Sequence, residues 1–213
     1  MLFTEFKKNI NTLKKTPLGG LKAQFRLAPI YRKNLEKEKI NALKPIFASV
    51  LIIFFPNEKG ETSFILTKRA SYKGHHSKQI SFPGGKKEVT DIDLIATAIR
   101  ETHEEIGIEI QRETVFKELT DVYIPPSNFL AHPFLSYLDT KPIFTLNHEV
   151  DSLLLVSLKE LLNSKNTKTR EVQTATGQTV KTPCYLFENQ IVWGATAMML
   201  SELTELFTTT FSN

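Results

Sequence analysis

The sequence predicts a mixed α/β or α+β sandwich, in which strands precede and follow one central helix and a second helix closes the chain. Three segments carry this prediction. Residues 47–55, FASVLIIFF, are continuously apolar and too short to cross a membrane, which is typical of a buried strand. Residues 91–106 have the apolar periodicity of a helix, and residues 193–207 form a second helical segment near the C-terminus.

The N-terminal segment predicts a short surface helix over residues 4–15. Phe6, Ile10 and Leu13 recur at helical spacing with lysines between them, and Pro17 follows the end of the pattern. We expect the apolar side of this helix to dock on the rest of the protein.

A β-hairpin is predicted next. A turn at Pro56–Asn57 and Gly60 separates the apolar run from its expected partner strand, TSFILTKR, at residues 62–69. Residues 71–81 are polar and predict a loop.

The central helix has clear end signals. Asp91 and Asp93 lie near its start, where the helix dipole favours acids, and Gly107 stands at its end. No internal repeat is visible. Further strands are predicted around residues 115–124, 129–138, 147–157, 167–173 and 182–187.

Composition excludes several classes of protein. With 213 residues, 41% hydrophobic and 23% charged, the chain suits one large domain or a domain with an extension, and not a disordered protein. The single cysteine, Cys184, excludes a disulfide framework and a multi-cysteine metal site, so we interpret it as core filler in a reducing compartment. No signal peptide or membrane span is visible, and a soluble cytoplasmic protein is expected.

The charge is divided unevenly along the chain. Residues 1–46 hold eleven Lys/Arg against three Glu, whereas residues 47–213 hold sixteen against twenty acids. We therefore predict a basic N-terminal extension, residues 1–46, that packs on a main domain of residues 47–213. Because its lysines are spaced and no arginine cluster is present, a solvated helix face explains the extension better than nucleic-acid binding.

Three acids converge on one side of the central helix. Glu101, Glu104 and Glu105 fall within an arc of about 100° at helical geometry, separate from the apolar arc. Like charges at these spacings repel, so a compensating cation is expected, and carboxylates suit magnesium. Arg100 can reach Glu104 across one turn. A solvated acidic face is the alternative, and the preceding Gly84–Gly85 loop favours the metal site.

Residues 84–108 closely resemble the Nudix box, in which a glycine and an acid precede the pattern R-E-U-x-E-E-x-G-U, where U is a bulky aliphatic residue. Asp91 lies one residue farther from Arg100 than the general pattern allows, and Thr102 replaces an aliphatic residue. The matching positions are held by Gly85, Arg100, Glu101, Glu104, Glu105, Gly107 and Ile108.

Other segments resemble the coenzyme A pyrophosphatase branch of the same superfamily. That branch has G-G-K-x-[DE]-x-x-D-x-[DS] before the helix, matched here by residues 84–93, and L-L-T-K-R-S before F-P-G-G. The second pattern also has an Arg and then a Gly between its two parts. It is only partly present here, because Gly74 and Lys78 stand at those two positions. Similar segments occur at residues 65–70, 82–85, 123–129, 133–134, 147–150 and 193–197.

The resemblance implies a Nudix-like α/β/α sandwich with a mixed sheet and a catalytic loop-helix-loop. It implies Mg²⁺ or Mn²⁺ held by Glu101, Glu105 and a main-chain oxygen near Gly84 or Gly85. Of the two glycines, we expect Gly85 to supply this oxygen. Glu104 would orient the attacking water or reach the metal through water, beside Arg100. Glu149 is our candidate for the base or an extra ligand, and a plain surface acid is its alternative.

Substrate contacts are predicted from cations near the glycine loop. We expect the pyrophosphate or a 3′-phosphate to be bound by Lys68, Arg69 and Lys86. The alternative is that each lysine only promotes solubility. Their neighbours Lys73, Lys78 and Lys87 add charge. The His75–His76 pair lacks a third ligand at useful spacing, so zinc is not assigned. Trp193 is expected to anchor the core, and stacking on a base is its alternative role.

The predicted function is hydrolysis of coenzyme A or its derivatives to 3′,5′-ADP and 4′-phosphopantetheine species. The same chemistry on ADP-ribose or another nucleoside diphosphate derivative is one alternative. A non-catalytic nucleotide-binding module is the other, and the intact glutamates argue against it. The expected partner is a small-molecule nucleotide, without nucleic acid or membrane, and the sequence leaves a homodimer open.

Overall fold

A computed structural model describes residues 1–30, 32, 36–70, 79–174 and 177–211. The predicted residues Lys73, His75, His76 and Lys78 lie outside this described part. None of the helices in the described ranges combines the length and apolarity that a bilayer crossing requires.

The described chain forms helices, short 3₁₀ turns and strands. The helices are α1 (Phe3–Lys8), α2 (Ile10–Lys15), α3 (Gly20–Gln24), α4 (Lys37–Ala42), α5 (Leu94–Ile106), α6 (Leu158–Leu161) and α7 (Gly194–Phe211). The strands are β1 (Ile46–Pro56), β2 (Thr62–Arg69), β3 (Ile80–Ser81), β4 (Gly84–Lys86), β5 (Lys117–Glu118), β6 (Val122–Ile124), β7 (Phe129–Tyr137), β8 (Val150–Ser157), β9 (Thr167–Gln173), β10 (Thr179–Phe187) and β11 (Gln190–Val192).

Strand β1 is the centre of a mixed sheet. It runs parallel to β7, from Ile46 opposite Phe129 to Phe54 opposite Tyr137, and antiparallel to β2 and β4. Strands β3 and β8 pair with β2, and β5 and β6 pair with β7. A second sheet has the order β11-β10-β9. The predicted hairpin of β1 and β2 is confirmed.

The central sheet is buried on both faces. Ile52 and Phe54 of β1 belong to the hydrophobic cluster that contains the apolar side of α7, while Leu51 and Ile53 belong to the cluster that contains Ala98 of α5. This explains the unbroken apolar run of β1, because a strand covered on both faces has no solvent side. The predicted α/β/α sandwich is confirmed, with α5 and α7 on opposite faces.

The N-terminal segment packs into the α7 side of this core. Phe6 is fully buried, with its ring centroid 4.9 Å from that of Phe54 and 6.2 Å from that of Phe207. Farther along, Gly20 N–H and Gln24 Nε2 donate to the buried carboxylate of Glu202 at 3.0 and 2.9 Å. The division of the chain at residue 47 stays a prediction.

Some predicted elements have different bounds in the structure. The helix predicted at residues 4–15 is interrupted at Asn9, and the strand predicted at 115–124 is divided into β5 and β6. The division has a physical cause, because Thr120 N–H donates to Glu202 at 3.1 Å instead of to β7, whose Pro133 has no N–H to offer. Helix α5 begins at Leu94, after the Asp93 cap.

Replacement of Phe6 tests the packing of the N-terminal segment. We expect Phe6→Ala to lower the free energy of unfolding by about 3–5 kcal/mol, because it leaves a cavity among four other rings. Urea denaturation measures this change, with Lys8→Ala on the exposed side of α1 as the control. A loss below about 1 kcal/mol would show that the segment contributes little to the fold.

Candidate active site

Helix α5 points two of its acids toward the sheet. Asp93 caps its first turn by accepting from Ala96 N–H at 2.8 Å, and Gly107 ends it in the left-handed conformation with φ +72°. Glu101 and Glu105 lie one turn apart and therefore share a face. That face meets β4, which contacts α5.

The two glycines of β4 let the backbone approach these acids closely. Gly84 has φ +148°, and a Cβ there would lie 2.6 Å from Val50 Cα, so a side chain has no room. Its N–H donates to Glu105 Oε2 at 3.1 Å. A Cβ on Gly85 would lie 2.6 Å from Glu101 Oε1. The glycine pair thus places main-chain atoms beside both carboxylates.

The negative charge of Glu105 is only partly compensated. Its residue is 3% exposed, and burial raises the pKa of its carboxyl to about 7, despite the Gly84 N–H and the Arg69 guanidinium, which favour the charged form. Burial also raises the pKa of Glu101, against the opposing effect of Arg100. Two acids that are costly to ionise therefore lie side by side.

Arg100 connects the start of the helix to its acidic face. Its guanidinium donates to Asp91 through Nε and Nη2, both at 2.9 Å, and to Glu101 and Glu104 through Nη1 at 3.0 and 3.1 Å. Nη2 also donates to the carbonyl oxygen of Lys86 at 3.1 Å. This network holds Glu101 and Glu104 in defined positions.

Asp91 lies in the turn before α5, so the extra residue between it and Arg100 is accommodated outside the helix. It accepts from Glu88 N–H and from the Thr97 hydroxyl besides Arg100. These bonds, above all the one from Arg100, hold the pKa of Asp91 well below its usual range.

Arg69 brings an acid from a distant strand to the site. Its Nη2 lies 2.9 Å from Glu149 Oε2, and its Nη1 lies 3.4 Å from Glu105 Oε1. Glu149 precedes β8 and its side chain is 47% exposed, so it borders the buried pair from the solvent side. The structure thus brings together Glu101, Glu105 and Glu149, which are 48 positions apart at most.

These residues fit a divalent cation. No group of three or more His, Cys, Asp or Glu side chains is arranged around a metal position within the described ranges. Magnesium nevertheless needs few protein ligands, because it keeps several waters and shares substrate phosphate oxygens. Glu101 and Glu105 can supply these few ligands. Their carboxylates are buried with only part of their charge compensated, and they lie beside the main chain of two glycines, which have no Cβ atoms.

A cleft of about 490 Å³ opens beside the glycine pair. The charged residues that line it, among those described, are Arg32 and Arg69. The other lining residues are mostly apolar or uncharged: Pro29, Ala48, Val50, Gln79, Ser81, Phe82, Gly84, Gly85, Ile124, Pro125, Pro126, Phe129, Ala131, Thr174, Trp193, Gly194, Ala195 and Thr196.

The structure places some sequence candidates away from this cleft. Lys68 Nζ lies 3.6 Å from Asp151, and Lys86 has an exposed side chain and contributes its carbonyl to the Arg100 network. Neither lysine lines the cleft, and their binding of substrate stays a prediction. The expectation that Trp193 anchors the core is wrong. Trp193 is partly exposed on the cleft wall, while its neighbour Val192 is fully buried.

The Asp91–Arg100 pair can be tested by its pH dependence. Because the folded pKa of Asp91 is below its ordinary value of 3.8, its contribution to stability is present above about pH 4 and is lost as the pH falls further. We expect Asp91→Asn to cost about 3 kcal/mol at pH 7. Thermal melting of both proteins should show this gap narrowing below pH 4. A gap that is constant with pH would contradict the ion pair.

Comparison with known proteins agrees with this geometry. Residues 45–175, more than half of the chain, match the NUDIX domain family. The mitochondrial coenzyme A diphosphatase NUDT8 of Mus musculus is 34% identical over 150 residues, which cover 68% of this chain and 70% of that protein. The Homo sapiens protein of that name is 31% identical over 160 residues, covering 73% and 67%.

More distant comparisons point the same way. The Nudix hydrolase NudL of Yersinia pestis (strain Pestoides F) is 29% identical over 148 residues, covering 68% of this chain and 72% of that protein. The crystal structure of a MutT/nudix family protein from Enterococcus faecalis has a TM-score of 0.55 at 13% identity, covers 83% of this chain and 76% of that one, and supports the fold. The chain therefore belongs to the Nudix family and is a pyrophosphohydrolase.

Proposed function

We propose that this pyrophosphohydrolase cleaves coenzyme A or its derivatives into 3′,5′-ADP and a 4′-phosphopantetheine species. The cleft carries this proposal, because the glycine pair in its lining lies directly beside the acids of α5, and most of the remaining wall is apolar. Coenzyme A has a matching division, with a charged pyrophosphate between an adenine and a long pantetheine arm. The names of the mouse and human relatives support the same substrate.

The acids are assigned by their position. Glu101, Glu105 and the Gly85 carbonyl would hold Mg²⁺ or Mn²⁺, which supplies positive charge to the phosphate oxygens and activates water. Attack of water on one phosphorus breaks its bond to the bridging oxygen, which leaves on the other phosphate. Glu104, fixed by Arg100 at 3.1 Å, orients the water, and Glu149 is the candidate to accept its proton.

The cleft wall would bind the organic parts of the substrate. Trp193, Phe129 and the Pro125–Pro126 pair offer flat apolar surfaces to an adenine ring or to the pantetheine arm. Arg69, which bridges Glu105 and Glu149, would bring positive charge to the pyrophosphate end.

The proposed setting is a reducing compartment such as the cytoplasm, which suits the lone buried Cys184. The proposed partner is the small nucleotide alone, without nucleic acid or membrane.

A hydrolysis panel tests the substrate. With Mg²⁺ or Mn²⁺ present, we expect coenzyme A and acetyl-coenzyme A to be cleaved more efficiently than ADP-ribose, NADH and a diadenosine polyphosphate, with products identified by mass. A preference for ADP-ribose would overturn the coenzyme A assignment while leaving the chemistry intact. Tight binding of one compound without hydrolysis of any would indicate a binding module.

Replacement of Glu104 tests its role in the reaction. We expect Glu104→Gln to lower kcat by about 100-fold or more, because the amide cannot accept a proton or attract the water equally. Melting temperature should change little, since Glu104 is exposed. Glu109→Gln, an exposed acid just beyond the helix, is the matched control. An unchanged rate would remove Glu104 from the mechanism.

A further inference from the structure

The described residues that line the cleft include two with a full charge, Arg32 and Arg69. Arg69 interacts with Glu105 and Glu149, and it therefore belongs to the pyrophosphate end of the cleft. Arg32 comes from the N-terminal segment, which lies before the region that matches the NUDIX family at residues 45–175. A cation is thus brought to the cleft by a part of the chain that the family pattern does not include.

Arg32 lies toward the end of the cleft that is remote from the acids. Arg32 and Pro125 both line the cleft and also an adjoining cavity of about 130 Å³, which places them together. Pro125 follows Ile124, which pairs with Phe129, and Phe129 pairs with Ile46 of β1.

The glycine pair lies farther along the same strand. Gly84 is opposite Val50, four residues beyond Ile46 on β1, or about 13 Å at the rise of a strand. Arg32 is therefore positioned to meet a second group of the substrate.

The surroundings of Arg32 favour an anion of phosphate type. Guanidinium groups bind phosphate through paired, charge-assisted hydrogen bonds, and such bonds are strengthened where apolar walls exclude water. Most of the described cleft wall is apolar, whereas the small cavity beside it also has Asp121 and Lys37 in its lining. The backbone N–H of Arg32 donates to the Pro29 carbonyl at 2.8 Å. This hydrogen bond anchors the backbone of Arg32.

We propose that Arg32 determines specificity by binding a phosphate group of the nucleotide other than the anhydride that is cleaved. The identity of the ligand rests on the proposed function, under which this group is the 3′-phosphate of coenzyme A. Arg32 takes the role that the sequence suggested for Lys68 and Lys86, which do not line the cleft.

Binding of two nucleotides that differ by one phosphate tests the proposal without turnover. Calorimetry with 3′,5′-ADP and with 5′-AMP, at fixed Mg²⁺, should show that the wild-type protein binds 3′,5′-ADP more tightly. In Arg32→Ala, the affinity for 3′,5′-ADP should fall about 10- to 100-fold while that for 5′-AMP stays within about twofold. Unchanged affinity for 5′-AMP also shows that the cleft is intact.

Two further variants sharpen the result. Arg32→Lys should keep part of the preference, since it retains the charge but loses the planar fork. Lys37→Ala removes an exposed cation of the same segment that borders the small cavity and not the cleft, and should bind both nucleotides as the wild type does. Equal binding of both nucleotides by the wild type, a preference that survives in Arg32→Ala, or an equal loss for both would each overturn the proposal.

The kinetic counterpart separates this inference from the proposed function. Arg32→Ala should lower kcat/KM for coenzyme A and leave that for dephospho-coenzyme A unchanged. If the wild type hydrolyses neither compound, the coenzyme A assignment fails, and the calorimetric comparison still decides the role of Arg32.

Discussion

The site depends on one constraint, which is the burial of the Glu105 carboxylate against the main chain of the glycine pair. A carboxylate at 3% exposure loses hydration, and the Gly84 N–H and Arg69 return only part of that stabilisation, so the pKa rises to about 7. Both glycines are needed because a side chain at either position would collide with Val50 or Glu101. A buried carboxylate whose charge is only partly compensated is suited to bind a cation.

Around this buried acid, two arginines arrange the other charges. Arg100 ties Asp91, Glu101 and Glu104 together, and Arg69 ties Glu105 to Glu149. The acids therefore occupy fixed positions although they repel one another. Removal of a single arginine would affect several acids at once, which is why effects in such a network are not additive.

Local patterns predicted much of this arrangement, and long-range contacts limited the rest. The periodicity of α5 and the apolar run of β1 are properties of neighbouring residues, so the sandwich and the shared face of Glu101 and Glu105 were predictable. The interruption after β5 depends on Glu202, 82 positions from Thr120, and the place of Arg32 in the cleft depends on contacts with residues that are distant in the sequence. The position of Trp193 in the cleft lining was not predicted, because no local pattern shows whether its ring faces the core or the cleft.

The most direct test of this account is Mn²⁺ binding, followed through the paramagnetic resonance signal of the free ion. The wild-type protein should bind Mn²⁺ in the absence of nucleotide, and Glu105→Gln should bind it about tenfold or more weakly, because ligand charge governs the affinity of such sites. Glu109→Gln should match the wild type. Equal affinity in the wild type and Glu105→Gln would contradict the central claim that the buried acid beside Gly84 and Gly85 is part of the cation site.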